Sequence, residues 1–274
     1  MDNARLLGWE PVAGPNALAR SGYFAGEDAA RAADLDSALR DPRIDALWCA
    51  RGGYGAMRLL DQVDFSILRE HPKAVLGFSD ITALHAAIGL RAGVVSYHGP
   101  TARHAMNDFS RDSIERALVR RTDSCGTATE ATVIRPGSAT GRLAGGNLAL
   151  LAALCGTPWF PNLDGAILLL EDVGEPVYRV DRMLRQLLMA GTLTGVRAIA
   201  FGHCTNCPEE SDDGARSLSA VVAEIATAVK VPCLLGLPVG HIDEQWTLPL
   251  GAMAEMDTAQ ASLHILEHTG THPS

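Results

Sequence analysis

The 274-residue chain is 47% hydrophobic and 20% charged, long and apolar enough for one large α/β domain or two smaller ones, each with its own core. A formal net charge of −9 and an aromatic share of 5% argue against a phosphate-binding surface or a base-stacking platform, and so against nucleic acid as a partner. No run approaches the roughly 20 apolar residues of a membrane span, residues 1–11 lack a basic segment followed by an apolar core, and the six cysteines are scattered, most of them in apolar runs. The expectation is a cytoplasmic protein with no membrane partner and no disulfide framework.

In chain order, Met1 to Trp9 reads as part of a helix. Three short β-like runs follow, Ala46-Leu-Trp-Cys-Ala50, Ala74-Val-Leu-Gly-Phe78 and Val94-Val-Ser-Tyr97, each beside an amphipathic stretch, which is the rhythm of parallel βαβ units. From Arg120 to Gly145 the pattern weakens into small and polar residues, so the expected division is a domain over 1–120, a linker over 121–140 and a second domain over 141–274. There, Ala166-Ile-Leu-Leu-Leu170, Ala198-Ile-Ala-Phe201 and Cys233-Leu-Leu-Gly-Leu237 are near-continuous apolar runs, as for strands covered on both faces. Val180, Met183, Leu184, Leu187 and Leu188 recur at helical spacing with Asp181 as candidate N-cap; Leu218, Val221, Val222, Ile225 and Val229 mark a further helix. The polar tail 267–274 is expected to fray.

Several segments could carry chemistry. Ser79 stands where a strand stops and a helix begins, a position that projects a nucleophilic hydroxyl and offers helix N-terminal amides to an oxyanion; serine is equally a preferred helix cap there. Arg51-Gly-Gly-Tyr-Gly55 follows another strand, and its glycines suit either close approach to an anionic oxygen or a tight turn; it matches neither common nucleotide-binding pattern. Glu171-Asp-Val-Gly-Glu175 lies at the carboxyl end of an apolar strand, where a carboxylate could orient an imidazole or form a solvated loop. His241 follows Gly236-Leu-Pro-Val-Gly240, a loop of restricted path. In His203-Cys-Thr-Asn-Cys207 the residue types suit zinc, but nothing nearby completes a ligand set.

In order and wording the chain resembles the LD-carboxypeptidase (muramoyltetrapeptide carboxypeptidase) and microcin-immunity family of serine peptidases. The resemblance runs through Gly22-Tyr-Phe-Ala-Gly26, Arg51-Gly-Gly-Tyr-Gly55, Gly77-Phe-Ser-Asp-Ile-Thr-Ala83, His98-Gly-Pro100, Gly145-Gly-Asn147, Leu170-Glu-Asp-Val-Gly-Glu175 and Gly236-Leu-Pro-Val-Gly-His241. It implies an α/β fold: an N-terminal flavodoxin-like parallel-sheet domain and a C-terminal mixed α/β domain, with the active site at their interface. It also implies a triad of Ser79, His241 and Glu171, no metal or other cofactor, and a homodimer that removes the terminal D-alanine from muramoyl tetrapeptide during peptidoglycan recycling. Amides of Asp80 and of Gly52 or Gly53 are the expected oxyanion donors, and Arg51 or Arg182 the partner of the substrate carboxylate. Asp172 or Glu175 could face the amino end of a diaminopimelate side chain. Two rivals are an immunity-type hydrolase of aminoacyl-nucleotide amides, with Trp159 or Trp246 as stacking lid, and a non-catalytic muropeptide-binding protein. One departure stands out: the family opens with an apolar strand and a Ser-Pro loop, which this sequence lacks, so the expectation is either a start that lies further upstream or an incomplete first sheet.

Overall fold

The structure, a computed structural model, describes residues 1–208 and 216–267. The first part of the chain forms α1 (Asp2–Leu6), α2 (Asp28–Arg40), β1 (Ala46–Trp48), α3 (Ile67–Glu70), β2 (Ala74–Gly77), α4 (Thr82–Arg91), β3 (Ser96–His98) and α5 (Asp108–Ile114). Then come β4 (Gly126–Thr127), β5 (Thr132–Arg135), β6 (Ser138–Asn147), α6 (Leu148–Leu154), β7 (Ala166–Val173), α7 (Val177–Met189) and β8 (Ala198–Thr205). The chain continues through α8 (Leu218–Val229), β9 (Cys233–Leu235), β10 (Leu248–Leu250), β11 (Met253–Asp257) and β12 (Ser262–Ile265).

Two sheets result. In the smaller, β1, β2 and β3 run parallel, as the sequence rhythm predicts, with α3 and α4 as the covering crossovers that parallel pairing requires. β1 stands at the edge, bonded to β2 alone among the described residues. The opposite side is closed by β10, which pairs antiparallel with β3 from 150 residues further along (98 to 248) and was not foreseen as a strand. The larger sheet has eight strands in the order β4-β12-β11-β6-β7-β8-β9-β5. Its centre, β6 to β9, is parallel, and its flanks are antiparallel. The expected linker 121–140 holds β4, β5 and the start of β6, all paired within this sheet.

Burial explains the long apolar runs. β7 is buried from Ala166 to Asp172 because α6, α7 and α8 cover one face and the β10–β12 segment the other. Helix α4 is buried at every residue from Thr82 to Ile88, since it lies between the two sheets rather than on a surface.

Two sequence expectations need correction. Helix α7 starts after Pro176, not at Asp181: Val177 is already buried, so the apolar face extends one turn further back, and Asp181 instead pairs with Arg216 at 3.0 Å. Cys204 and Cys207, expected free, are joined by a disulfide, because the turn ending β8 brings their Cα atoms to 5.6 Å. No helix among the described residues is long and apolar enough to cross a membrane. The expected fraying over 267–274 falls, beyond Glu267, outside the described residues.

Candidate active site

Strand β2 ends at Gly77, and the chain turns so sharply that Ser79 takes φ of +66°, a left-handed conformation that is costly for a residue with a Cβ. A short 3-10 turn over Ser79–Ile81 then feeds α4, with Phe78, not Ser79, in the capping position. The serine therefore caps no amide there; it is displayed, as in a nucleophile elbow. A Cβ built on Gly52 would meet the Ser79 Cβ at 2.8 Å, so only glycine lets the 51–55 loop pass over the serine. That loop is clamped from beneath. The Ala56 amide donates to Asp80 Oδ2 at 2.8 Å, and burial pushes the Asp80 carboxyl up while its backbone donors hold it down.

The larger sheet supplies the other two groups. His241 Nε2 lies 3.1 Å from Ser79 Oγ, and its Nδ1 lies 2.9 Å from Glu171 Oε2. Glu171 is fully buried at the end of β7, while the imidazole keeps about a quarter of its surface. An ionised Glu171 accepts Nδ1–H, which leaves Nε2 free to accept from the serine hydroxyl. Gly240, at φ +117°, is the counterpart of Gly52: a Cβ on it would press to 3.1 Å on Glu171. Phe78 packs on the imidazole with centroids 4.7 Å apart and also edges His98 and His104. Burial drives His98 well below the ordinary histidine range, so it sits there as a neutral ring.

Consecutive strand residues face opposite ways, so Glu171 and Asp172 serve different sides of β7. Asp172 is buried and accepts from Asn147 Nδ2 at 3.1 Å and the Ala149 amide at 2.9 Å; burial pushes its carboxyl up to about 6. Its carboxylate is thus engaged within the fold, against the expectation that it faces a ligand. Asn147 in turn donates its backbone N–H to Thr82 Oγ1 at 2.9 Å. The chain Asp172–Asn147–Thr82 ties the helix behind Ser79 to the strand that carries Glu171. Asn147 stands in the motif Gly145-Gly-Asn147, and Phe78 and Thr82 in Gly77-Phe-Ser-Asp-Ile-Thr-Ala83, but the sequence assigns none of the three a role.

Of the remaining predicted residues, Arg51 is exposed and adjoins Gly52, the residue that lies against the serine; its Nε is 3.3 Å from the Gly52 carbonyl, and Gly53 lies against its guanidinium. Arg182 is instead on the outer side of α7, stacked over Tyr178 at 5.4 Å, and among the described residues no contact joins it to Ser79, His241 or Glu171. Glu175 pairs with Arg179 at 3.5 Å. Trp159 and Trp246 are buried, at 8% and 2% exposure, and so are core residues rather than a stacking lid. Cys204 and Cys207 bond to each other, and no group of three or more metal-ligating side chains assembles among the described residues.

Comparison with known proteins bears on the family. The N-terminal domain pattern of LD-carboxypeptidases matches residues 1–99 and the C-terminal domain pattern residues 140–256. The murein tetrapeptide carboxypeptidase of Pseudomonas aeruginosa is 37% identical over 256 residues, covering 89% of this chain and 82% of that protein. The crystal structure of muramoyltetrapeptide carboxypeptidase from Oxalobacter formigenes superposes with a TM-score of 0.81 at 31% identity, covering 90% of this chain and 86% of the other. More distant is the microcin C7 self-immunity protein of Escherichia coli, 26% identical over 89% of this chain and 80% of its own; at 24% identity its solved structure, TM-score 0.87, shows a shared fold. The chain belongs to the LD-carboxypeptidase family of peptidases.

Proposed function

We propose that the chain is a serine carboxypeptidase that removes the terminal D-alanine from muramoyl tetrapeptide, with Ser79, His241 and Glu171 as its triad. The observation that carries this reading is the imidazole of His241, placed between Ser79 Oγ at 3.1 Å and Glu171 Oε2 at 2.9 Å. His241 Nε2 takes the hydroxyl proton as Ser79 attacks the carbonyl before D-alanine, then returns it to the departing amine; water repeats the cycle on the acyl-enzyme. Glu171 fixes the tautomer and steadies the imidazolium. The Asp80 amide, with that of Gly52 or Gly53, receives the oxyanion; a donor of this kind lowers the barrier by about 3 kcal/mol.

For the substrate carboxylate the reading favours Arg51, whose neighbour Gly52 lies against the serine, over Arg182, which stacks on Tyr178 of α7. The name of the Pseudomonas aeruginosa relative supports a murein substrate. An immunity-type substrate loses its candidate lid, since Trp159 and Trp246 are core residues. The reading also takes the protein to be cytoplasmic, on its composition and cysteine distribution, and a homodimer, on the resemblance; sedimentation of the purified chain tests the second point. The decisive experiment incubates the free tetrapeptide with the chain and with Ser79→Ala and follows D-alanine by mass spectrometry. Release by the parent, reduced about 10⁴-fold or more in the variant, is expected; a folded parent that binds tetrapeptide without cleaving it makes the protein a binding module instead.

A further inference from the structure

The loop that carries His241 has no strand or helix of its own: residues 240–247 run in bends and extended backbone until β10 begins at Leu248. Gln245, Trp246 and Thr247 are nevertheless buried. Their amides must find acceptors outside any sheet ladder. The Trp246 amide bonds within the loop region, to Pro238 O at 2.7 Å. The other two are taken by hydroxyls of α5, a helix of the first part of the chain. Gln245 N–H donates to Ser110 Oγ at 3.0 Å, and Thr247 N–H to Ser113 Oγ at 2.8 Å. Residues three apart on a helix share a face, as do residues two apart on extended chain, so the two pairs line up.

A hydroxyl donates one proton while it accepts another, and the two serines, both buried, direct theirs differently. Ser113 Oγ donates to Ser124 O at 2.7 Å, on the chain leading to β4. Ser110 Oγ donates back into the loop, to Asp243 O at 3.0 Å, two residues after His241. Asn107 adds a second hold on that carbonyl: its Nδ2 donates to Asp243 O at 2.8 Å, while its Oδ1 caps α5 by accepting the Ser110 amide at 2.8 Å. His104 Nε2 lies 3.3 Å from the same oxygen. The Gln245 side chain closes the bend by donating to Ile242 O at 3.0 Å. Ser110 thus fastens both ends of the segment 243–245 from an element that carries none of Ser79, Glu171 and His241.

We infer that Ser110 is a positioning residue for the proposed triad: through Asp243 and Gln245 it fixes the bend of the chain directly after His241, and so where Nε2 stands relative to Ser79 Oγ. The inference rests on that triad. Glu171 and Phe78 hold the imidazole ring itself, whereas Ser110 holds the backbone that bears it. Without its hydroxyl, the Gln245 amide is a buried donor that has lost its acceptor, and the loop relaxes. A shift of about 1 Å at a catalytic group costs about 10²-fold in rate. Ser113 is the built-in comparison. It bonds a residue six positions from His241 and next to β10, whose pairing with β3 already fixes the path.

The test compares Ser110→Ala with Ser113→Ala in the full chain, since each removes a hydroxyl that makes two bonds; both are checked for an intact circular dichroism spectrum. Ser110→Ala should lower kcat for tetrapeptide about tenfold or more with KM within about twofold, whereas Ser113→Ala should leave kcat within about threefold. Labelling of Ser79 by a fluorophosphonate, which needs the serine and the imidazole but no peptide, should slow in Ser110→Ala by a similar factor. In a His241→Ala background the same substitution should change the labelling rate by less than about twofold, because its effect runs through the imidazole. Three results overturn the inference: a kcat loss under about tenfold in folded Ser110→Ala, an equal kcat loss in both serine variants, or an undiminished loss of labelling when His241 is absent. A parent that labels at Ser79 but releases no D-alanine sinks the substrate reading alone, and the labelling rates then decide the role of Ser110. A parent that does neither sinks the triad and this inference with it.

Discussion

β7 buries every residue from Ala166 to Asp172, whereas β2, which leads to Ser79, has four residues and a half-buried first one. The larger sheet has β7 bonded on both sides by strands of eight and ten residues; the smaller has three-residue neighbours and an edge at β1. The two regions hold their parts of the site differently as a result. Glu171 is positioned by an interior strand that cannot move without opening a core. Ser79 is positioned by a strained turn, a glycine loop lying on it, and ties to the other sheet through β10 and the Thr82–Asn147 bond. Damage on the strand side should therefore register as lost chemistry in an intact fold, and damage on the turn side as lost alignment.

The largest expected effect comes from Glu171→Gln. The amide keeps the size of the carboxylate but presents a donor to His241 Nδ1, stabilising the wrong tautomer, and kcat should fall about 10³- to 10⁴-fold with the circular dichroism spectrum unchanged. A fall under tenfold would remove Glu171 from the triad. Gly52→Ala probes the turn side: its methyl would press on Ser79 at 2.8 Å, and a displacement of about 1 Å should lower kcat about 10²-fold while the melting temperature moves by no more than a few degrees. Full activity in this variant would mean that the loop yields and the comparison between the two regions fails.

Asp172 sharpens the comparison through pH. Its carboxyl is raised from 3.8 to about 6 in the folded chain, so between those values the folded state binds more protons than the unfolded state. Stability from this group is present at about pH 4 and lost as pH rises through about 6. In urea titrations the stability difference between the parent and Asp172→Asn should fall by on the order of 2 kcal/mol over that window; a flat difference would place the carboxylate in contact with solvent. The smallest effect separates the two arginines. Arg51→Ala should raise KM for tetrapeptide about tenfold, and Arg182→Ala should leave it within about twofold; the reverse order would transfer carboxylate recognition to α7.

Much of this was legible in the residues themselves. Apolar runs at 166–170 and 198–201 specify interior parallel strands because only such strands bury both faces. The same logic recovers the parallel core of the smaller sheet, and the motifs around Ser79, Glu171 and His241 mark three segments that the structure brings within hydrogen-bond distance of one another. Local signals misled where the deciding partner lay far along the chain. Asp181 looks like a helix cap until Val177 is found buried, and Asp172 looks like a ligand for substrate until Asn147 occupies it.

The sequence by itself determined the alternation of strands and helices, because periodicity and turn chemistry are written locally, and its resemblance to a known family supplied the family and the three residues expected to act together. Tertiary structure alone decided that a histidine 162 residues from Ser79 lies 3.1 Å from its hydroxyl, that β10 closes the first sheet, and that Arg182 stacks on Tyr178 on the exposed side of α7. Those facts depend on how two sheets pack across α4. Packing couples residues that no local pattern connects.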